Sequence, residues 1–152
     1  MDIRGGTLDD SFVMRGSTLA ANVSIDGGAG NDILIGSGGN RLFGGAGRDL
    51  LVSGSRSSML DGGLDEDILI GGSLVDTSPA NLNAIRNEWT AIGVESDYNT
   101  RCNNLLAGLL ESADVLGNDA VDTLTGGLDA LDLFFGGQIT DLQDNELVVP
   151  LT

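Results

Sequence analysis

Aspartate is the residue type through which this sequence offers chemistry, and the spacing of four aspartates is the reason. Asp10, Asp32, Asp49 and Asp67 each follow a glycine-rich stretch, and each stands two residues ahead of a large apolar residue. The whole chain carries 23 acidic residues against 7 basic ones, for a formal net charge of −16. Such an imbalance either makes a soluble, self-repelling surface or is balanced by bound cations. The regular spacing favours cations, because carboxylates stacked about 5 Å apart from strand to strand repel one another unless positive charge lies between them. Carboxylate and backbone carbonyl oxygens suit a hard ion such as calcium, which takes six to eight oxygens at about 2.3–2.6 Å.

The aspartates belong to near-copies of one nonapeptide. Residues 27–35 read GGAGNDILI, residues 44–52 GGAGRDLLV and residues 62–70 GGLDEDILI. A looser copy, GGTLDDSFV, spans 5–13, with Leu8 where the others have a fourth-position glycine or Asp65. The shared form is G-G-x-G-x-D-x-U-x, with U a large apolar residue, and it resembles the calcium-binding repeat of the RTX (haemolysin-type) family of secreted proteins. The resemblance covers residues 5–76 and, more loosely, 117–137. It implies a mainly β chain folded as a parallel β-roll (β-solenoid), each nonapeptide giving a turn and a short strand. It also implies Ca2+ as cofactor, held by carbonyls of two successive turns on one edge and a carboxylate from each.

Carried onto this sequence, the resemblance makes Asp32, Asp49 and Asp67 the central metal ligands, with Gly28, Gly30, Gly45, Gly47 and Gly63 shaping the turns. Asp10 extends the series across a longer spacing. Asp65 replaces the fourth glycine of its copy, where an aspartate tolerates a left-handed backbone better than most residues. Two returning copies add Asp122, in GNDAVDTLT, and Asp132, in GGLDALDLFF, the second being one residue longer than the consensus. Ligands that converge only in the fold make calcium binding part of the folding free energy. The metal-free alternative is that aspartate closes these turns unaided, as it often does.

The elements that position these residues follow from the period. Two nonapeptides complete one coil of about 18 residues, so the strong copies fall on one edge. The degenerate copies at 36–43 and 53–61 fall on the other, with Arg41 and Ser58 at their sixth positions and Asp76 following. Calcium is therefore expected on one edge only. Eighth-position residues Phe12, Ile25, Leu34, Phe43, Leu51, Leu60 and Leu69 are expected to point inward, and strand alternation sends their neighbours outward. Ile33, Ile35, Leu50, Val52, Ile68 and Ile70 would then form one apolar outer face, too large a patch to stand wet.

Residues 77–112 offer its cover. Ser78 and Pro79 read as N-cap and first helical residue. Leu82, Ile85, Trp89 and Ile92 recur at helical spacing over 80–92, and Gly93 stops the helix. A second helix, capped by Ser96 or Asp97, carries Tyr98, Arg101, Leu105 and Leu106 to about Gly108. The pair either folds back onto the apolar face or forms a separate hairpin with its own small core. The chain thus reads as one domain: a calcium-binding roll over 1–76, a helical hairpin insertion over 77–112, returning coils over 113–137 and a tail over 138–152. Residues 146–149 (ELVV) fit a closing strand, or the acidic-then-apolar ending of a type I secretion signal.

Composition excludes several functions. There is no histidine and only one cysteine, Cys102, so the commonest general base and any intrachain disulfide are missing. No basic patch serves a nucleic acid, and no apolar run reaches the roughly 20 residues that span a bilayer. The opening residues 1–6 show no leader pattern. With no nucleophile–base pairing in the sequence, the expectation is a non-enzymatic, secreted or cell-surface calcium-binding structural or adhesive protein. Its partners would be calcium and either further copies of itself, stacked end to end into a filament, or another surface protein. The alternative is a C-terminal calcium-dependent folding and type I secretion module of a larger secreted enzyme, toxin or adhesin.

Overall fold

Three-residue strands bounded by glycine turns have too few hydrogen bonds to stand alone, so each must pair with copies of itself. The computed structural model describes residues 1–15, 22–92, 97–111, 113–127, 130–136, 138–139 and 146–151. The chain is mainly β with two helices. In order, the first strands are β1 (Asp2–Arg4), β2 (Ser11–Val13), β3 (Ser24–Ala29), β4 (Ile33–Ile35) and β5 (Arg41–Ala46). β6 (Leu50–Val52), β7 (Met59–Leu64), β8 (Ile68–Ile70) and β9 (Ser73–Leu74) follow. Helices α1 (Pro79–Trp89) and α2 (Tyr98–Leu106) come next. The last strands are β10 (Val115–Leu116), β11 (Thr123–Thr125), β12 (Leu133–Phe135), β13 (Gln138–Ile139) and β14 (Leu147–Val149).

Successive strands alternate between two six-stranded sheets. One runs β1-β3-β5-β7-β11-β13 and the other β14-β12-β8-β6-β4-β2, with every pairing parallel. Their inner faces share one core: Ile25, Leu42, Leu60 and Leu124 from the first sheet meet Leu34, Leu51, Leu69 and Phe134 from the second. Phe43 is not among them. Leu42 pairs with Ile25 and Leu60, while Phe43 lies beside Asp26 and Asp61 on the outer face. The expected inward Phe43 is thus corrected to Leu42. The turn of that degenerate copy is one residue shorter, with Asn40 beside Gly36 as Asp32 is beside Gly27, and a one-residue shift exchanges the two faces of a strand.

The six outward aliphatic residues of β4, β6 and β8 are all buried, in one cluster with Leu82, Ile85 and Trp89 of α1 and Tyr98, Cys102 and Leu105 of α2. The helical pair therefore covers the second sheet instead of packing on itself alone. Each fully buried aliphatic side chain is worth about 1.5–3 kcal/mol, so the cover is a major part of the fold. The antiparallel pair β9–β10 closes the base of the insertion. Beyond it, β11 and β12 resume pairing on β7 and β8.

Ser78 caps α1, its Oγ accepting from the Asn81 N–H, and Asp97 caps α2 by accepting from Thr100. Helix α1 ends at Trp89, where the Thr90 hydroxyl donates back to the Arg86 carbonyl. Ile92 is therefore outside the helix and 90 % exposed, a correction to the expected stripe. Gly93 and Ser96, expected to stop the first helix and to cap the second, lie outside the described residues, as do residues 16–21 and Leu128, Asp129 and Gly137.

The tail closes the second sheet as β14. The Tyr98 hydroxyl inserts there, donating to the Asp132 carbonyl at 2.6 Å and accepting from the Leu147 N–H at 2.8 Å. Burial raises the Tyr98 hydroxyl above its ordinary pKa, so it stays a neutral donor and acceptor. No helix among the described residues is long and apolar enough to cross a membrane.

Candidate metal centre

Each strong-copy aspartate is the last residue of a turn, immediately before a strand of the second sheet. Parallel pairing in register therefore stacks these residues. The backbone N–H of Asp10 donates to Asp32 Oδ1, that of Asp32 to Asp49 Oδ1, that of Asp49 to Asp67 Oδ1 and that of Asp67 to Asp132 Oδ1, all at 2.6–2.8 Å. Asp32, Asp49, Asp67 and Asp132 have no exposed surface. One ladder thus holds five of the sequence-nominated residues.

The second carboxylate oxygens matter more. Oδ2 of Asp32, of Asp49 and of Asp67 are buried and accept no hydrogen bond among the described residues. An unsatisfied buried carboxylate oxygen is costly, and here it recurs in three successive turns. Each faces the leading glycine of its own turn, where a Cβ would collide with it and with a carbonyl of the next turn. At Gly27 the two oxygens are Asp32 Oδ2 and the Gly44 carbonyl, at Gly44 they are Asp49 Oδ2 and the Gly62 carbonyl, and at Gly62 they are Asp67 Oδ2 and the Gly126 carbonyl. Carboxylate and carbonyl oxygens thus converge, which is a hard-cation donor set. Among the described residues no three His, Cys, Asp or Glu side chains gather as a cage, so a cation here would draw on carbonyls and water as well.

The nominated glycines shape these turns. Gly28, Gly30, Gly45, Gly47 and Gly63 all have φ between +104° and +121°. At Gly45 a side chain would strike the Gly28 carbonyl of the preceding turn, so the close stacking itself demands glycine. Asp65 takes the left-handed conformation at φ +70° and lies exposed, outside the ladder.

Asp122 is not brought to this edge. It sits on the opposite one, in a second series in which Asn40 N–H donates to Ser58 Oγ and Ser58 N–H to Asp122 Oδ1. Asp122 Oδ2 accepts from Ser53 Oγ and Asn118 Nδ2. The expected Arg41 and Asp76 of that edge are replaced by Asn40 and Asp122, because of the shortened turn and the inserted helices. Hydroxyl and amide donors there satisfy the carboxylate that the first edge leaves bare.

Several participants were missed from sequence. Glu146 precedes Leu147, which pairs with Leu133, so its backbone continues the register of Asp132 as a sixth rung. Glu66 is an anchor for the cover: its carbonyl accepts from Trp89 Nε1 at 2.7 Å, and its carboxylate pairs with Arg48 and with the buried Arg101. Arg101 lies over the Trp89 ring. Arg86 reaches the Asn31 carbonyl. These bonds tie both helices to the turns that carry the ladder.

Electrostatics follow from burial. Burial first, then neighbouring carboxylates, raise Asp32 above the ordinary aspartate value, push Asp49 up to about 8 and lift Asp67 well above normal, although a backbone N–H opposes each rise. A folded-state pKa above the unfolded one means that protonation favours the fold. That contribution is full below about pH 4, the unfolded carboxyl value, and is lost as pH rises through about 8. Asp76 and Asp97, held below the ordinary value by hydrogen bonds from Ser78 and Thr100, act only in stronger acid. The metal-free chain is therefore expected to resist urea better at pH 5 than at pH 8. A chelated chain more stable at pH 8 would contradict the buried, uncompensated ladder.

Comparison with known proteins gives no relative: no family model matches the chain, and no curated protein or solved structure matches it.

Proposed function

We propose that the chain is a calcium-stapled parallel β-roll, a non-enzymatic, extracellular structural or adhesive module whose folding depends on calcium. The observation that carries this is the row of buried carboxylates whose Oδ2 atoms, in Asp32, Asp49 and Asp67, accept no hydrogen bond and face a carbonyl of the next turn. The alternation of parallel strands between two sheets supports the roll. The satisfied opposite edge supports metal on one edge only, since among the described residues Asp122 has three donors where Asp49 has one.

Asp32, Asp49 and Asp67 would hold the ions with the Gly44, Gly62 and Gly126 carbonyls, and Asp10 and Asp132 would serve the outer turns. Calcium supplies the positive charge that offsets stacked carboxylates. The chain's own residues do the rest: the glycines allow the turns to close up, the Oδ1 ladder sets the register, and the helices exclude water from the adjoining face. Coupling of binding to folding suits a protein that stays unfolded where calcium is scarce and folds where it is abundant.

Calorimetric titration of the chelated chain tests this. Calcium is expected to bind at more than one site, with the large negative heat-capacity change that burial of apolar surface on folding produces. No binding at millimolar calcium, or binding without that change, would overturn the reading.

A further inference from the structure

The two ends of the sheets are unlike the middle. In every interior pass the inward residues, Ile25, Leu34, Leu42, Leu51, Leu60, Leu69 and Leu124, have no exposed surface. At the first end the corresponding Ile3 and Phe12, with Met14, are only partly buried. At the other end Val148, which pairs with the inward Phe134, is 39 % exposed. Among the described residues the core is therefore open at both ends, and β1 and β2 at one, β13 and β14 at the other, are terminal strands of their sheets. Asp10 repeats the theme. Its N–H donates down the ladder and its Oδ2 accepts from Gly6. Its Oδ1 takes none of the described hydrogen bonds, although the same atom in Asp32, Asp49 and Asp67 accepts a backbone N–H from the turn before.

We propose that the end formed by β1 and β2 docks the β13–β14 end of a second copy of the chain, so that copies stack head to tail. The occupant is a second copy because its far end supplies what the first end lacks. β14 is parallel to the rest of its sheet, so its outer edge presents the N–H and C=O pattern that a parallel strand beside β2 requires. Repeating the internal register sets Val148 against Phe12 and joins the two open cores. It also sets Glu146 beside Asp10, continuing the acidic ladder across the junction. Because the two ends differ, the contact is heterologous and does not close on itself, so it propagates into a fibre. The proposal rests on the roll reading above, and on calcium only for the charge at the junction.

The test is sedimentation of the full chain in millimolar calcium across concentration, with far-UV CD on the same samples to score folding separately. The expected result is mass that climbs with concentration without a plateau. F12D and V148D should each lose this growth, yet an equimolar mixture should form one-to-one dimers, because one intact end of each kind remains. Folded monomers at every concentration would overturn the proposal. So would a plateau at the dimer that F12D abolishes and V148D leaves intact, which marks a two-fold contact between like ends. Should a variant fail to fold, hydrogen exchange on the unsubstituted chain decides: amides at 2–4, 11–13 and 147–149 gain protection with concentration while those at 59–64 do not. Unchanged exchange at those strands overturns the proposal. A chain that folds and stacks without calcium would refute the metal reading and leave the stacking standing.

Discussion

Asp49→Asn is expected to have opposite effects with and without calcium. The amide keeps the Oδ1 acceptor that receives the Asp32 N–H at 2.6 Å, so the register of the ladder survives. Asn40 is the precedent, since its Oδ1 already accepts two backbone N–H groups in the turn of the opposite edge. What the substitution removes is the buried charge of the aspartate that burial and its neighbours push up to about 8. In chelator, relief of desolvation and of repulsion from Asp32 should stabilise the chain. In calcium the same change weakens the sites on both sides of Asp49, and half-saturation should rise by more than about tenfold, equivalent to about 1.4 kcal/mol. Far-UV CD in chelator reads the first sign, as a gain of β structure over the unsubstituted chain, and urea unfolding in calcium reads the second. Stabilisation in both conditions would mean that the aspartates are turn-closing groups only.

The second large effect is expected at Trp89. Its side chain is buried beneath α1, meets Tyr98 edge-on with ring centroids 5.9 Å apart, lies against the Arg101 guanidinium and donates to the Glu66 carbonyl. Trp89→Ala removes all three contacts. It should destabilise the calcium-loaded chain by about 3–5 kcal/mol, as large-to-small changes in cores do. The damage should also be located: α1 and α2 lift away from β4, β6 and β8, and the exposed aliphatic face binds a hydrophobic dye. A loss below about 0.5 kcal/mol, within the range of ordinary surface substitutions, with no dye binding would show that the helices are not the cover that holds the second sheet.

What was legible in the sequence was whatever repeats. Asp32, Asp49 and Asp67 lie in copies of one pattern, and a common register follows from common spacing. The need for a cover was also legible, because ILI, LLV and ILI strands with one face inward leave six aliphatic residues on the other. Reading failed where a turn changed length. Between Gly36 and Asn40 one residue is missing, so Leu42 took the inward place expected of Phe43. The edge positions shifted with it, from Arg41 to Asn40.

The same cause hides the far end. With 77–112 inserted, nothing in the spacing says that Leu124 lies beside Leu60, or Leu133 beside Ile68. Hence Asp122 and Asp132 looked equivalent, yet they lie on opposite edges. Glu146 lacks the preceding glycines altogether and is found only through the pairing of β14. The helix-to-turn ties through Glu66, Arg101 and Tyr98 had no signal either, because such contacts depend on where an insertion lands and not on its own period.

With its carboxylates stacked and buried, the chain is expected to need calcium for the fold to be stable at neutral pH. Far-UV CD of the chain at pH 7.5 or so, first in EDTA and then with calcium titrated to a millimolar excess, tests it most directly, since metal binding that accompanies folding appears as folding. The expected result is a largely unfolded spectrum in EDTA that converts cooperatively to a β-rich one as calcium is added, while magnesium, which dehydrates reluctantly and demands a tighter octahedral geometry, fails to replace it. An identical β-rich spectrum before and after EDTA would contradict the claim.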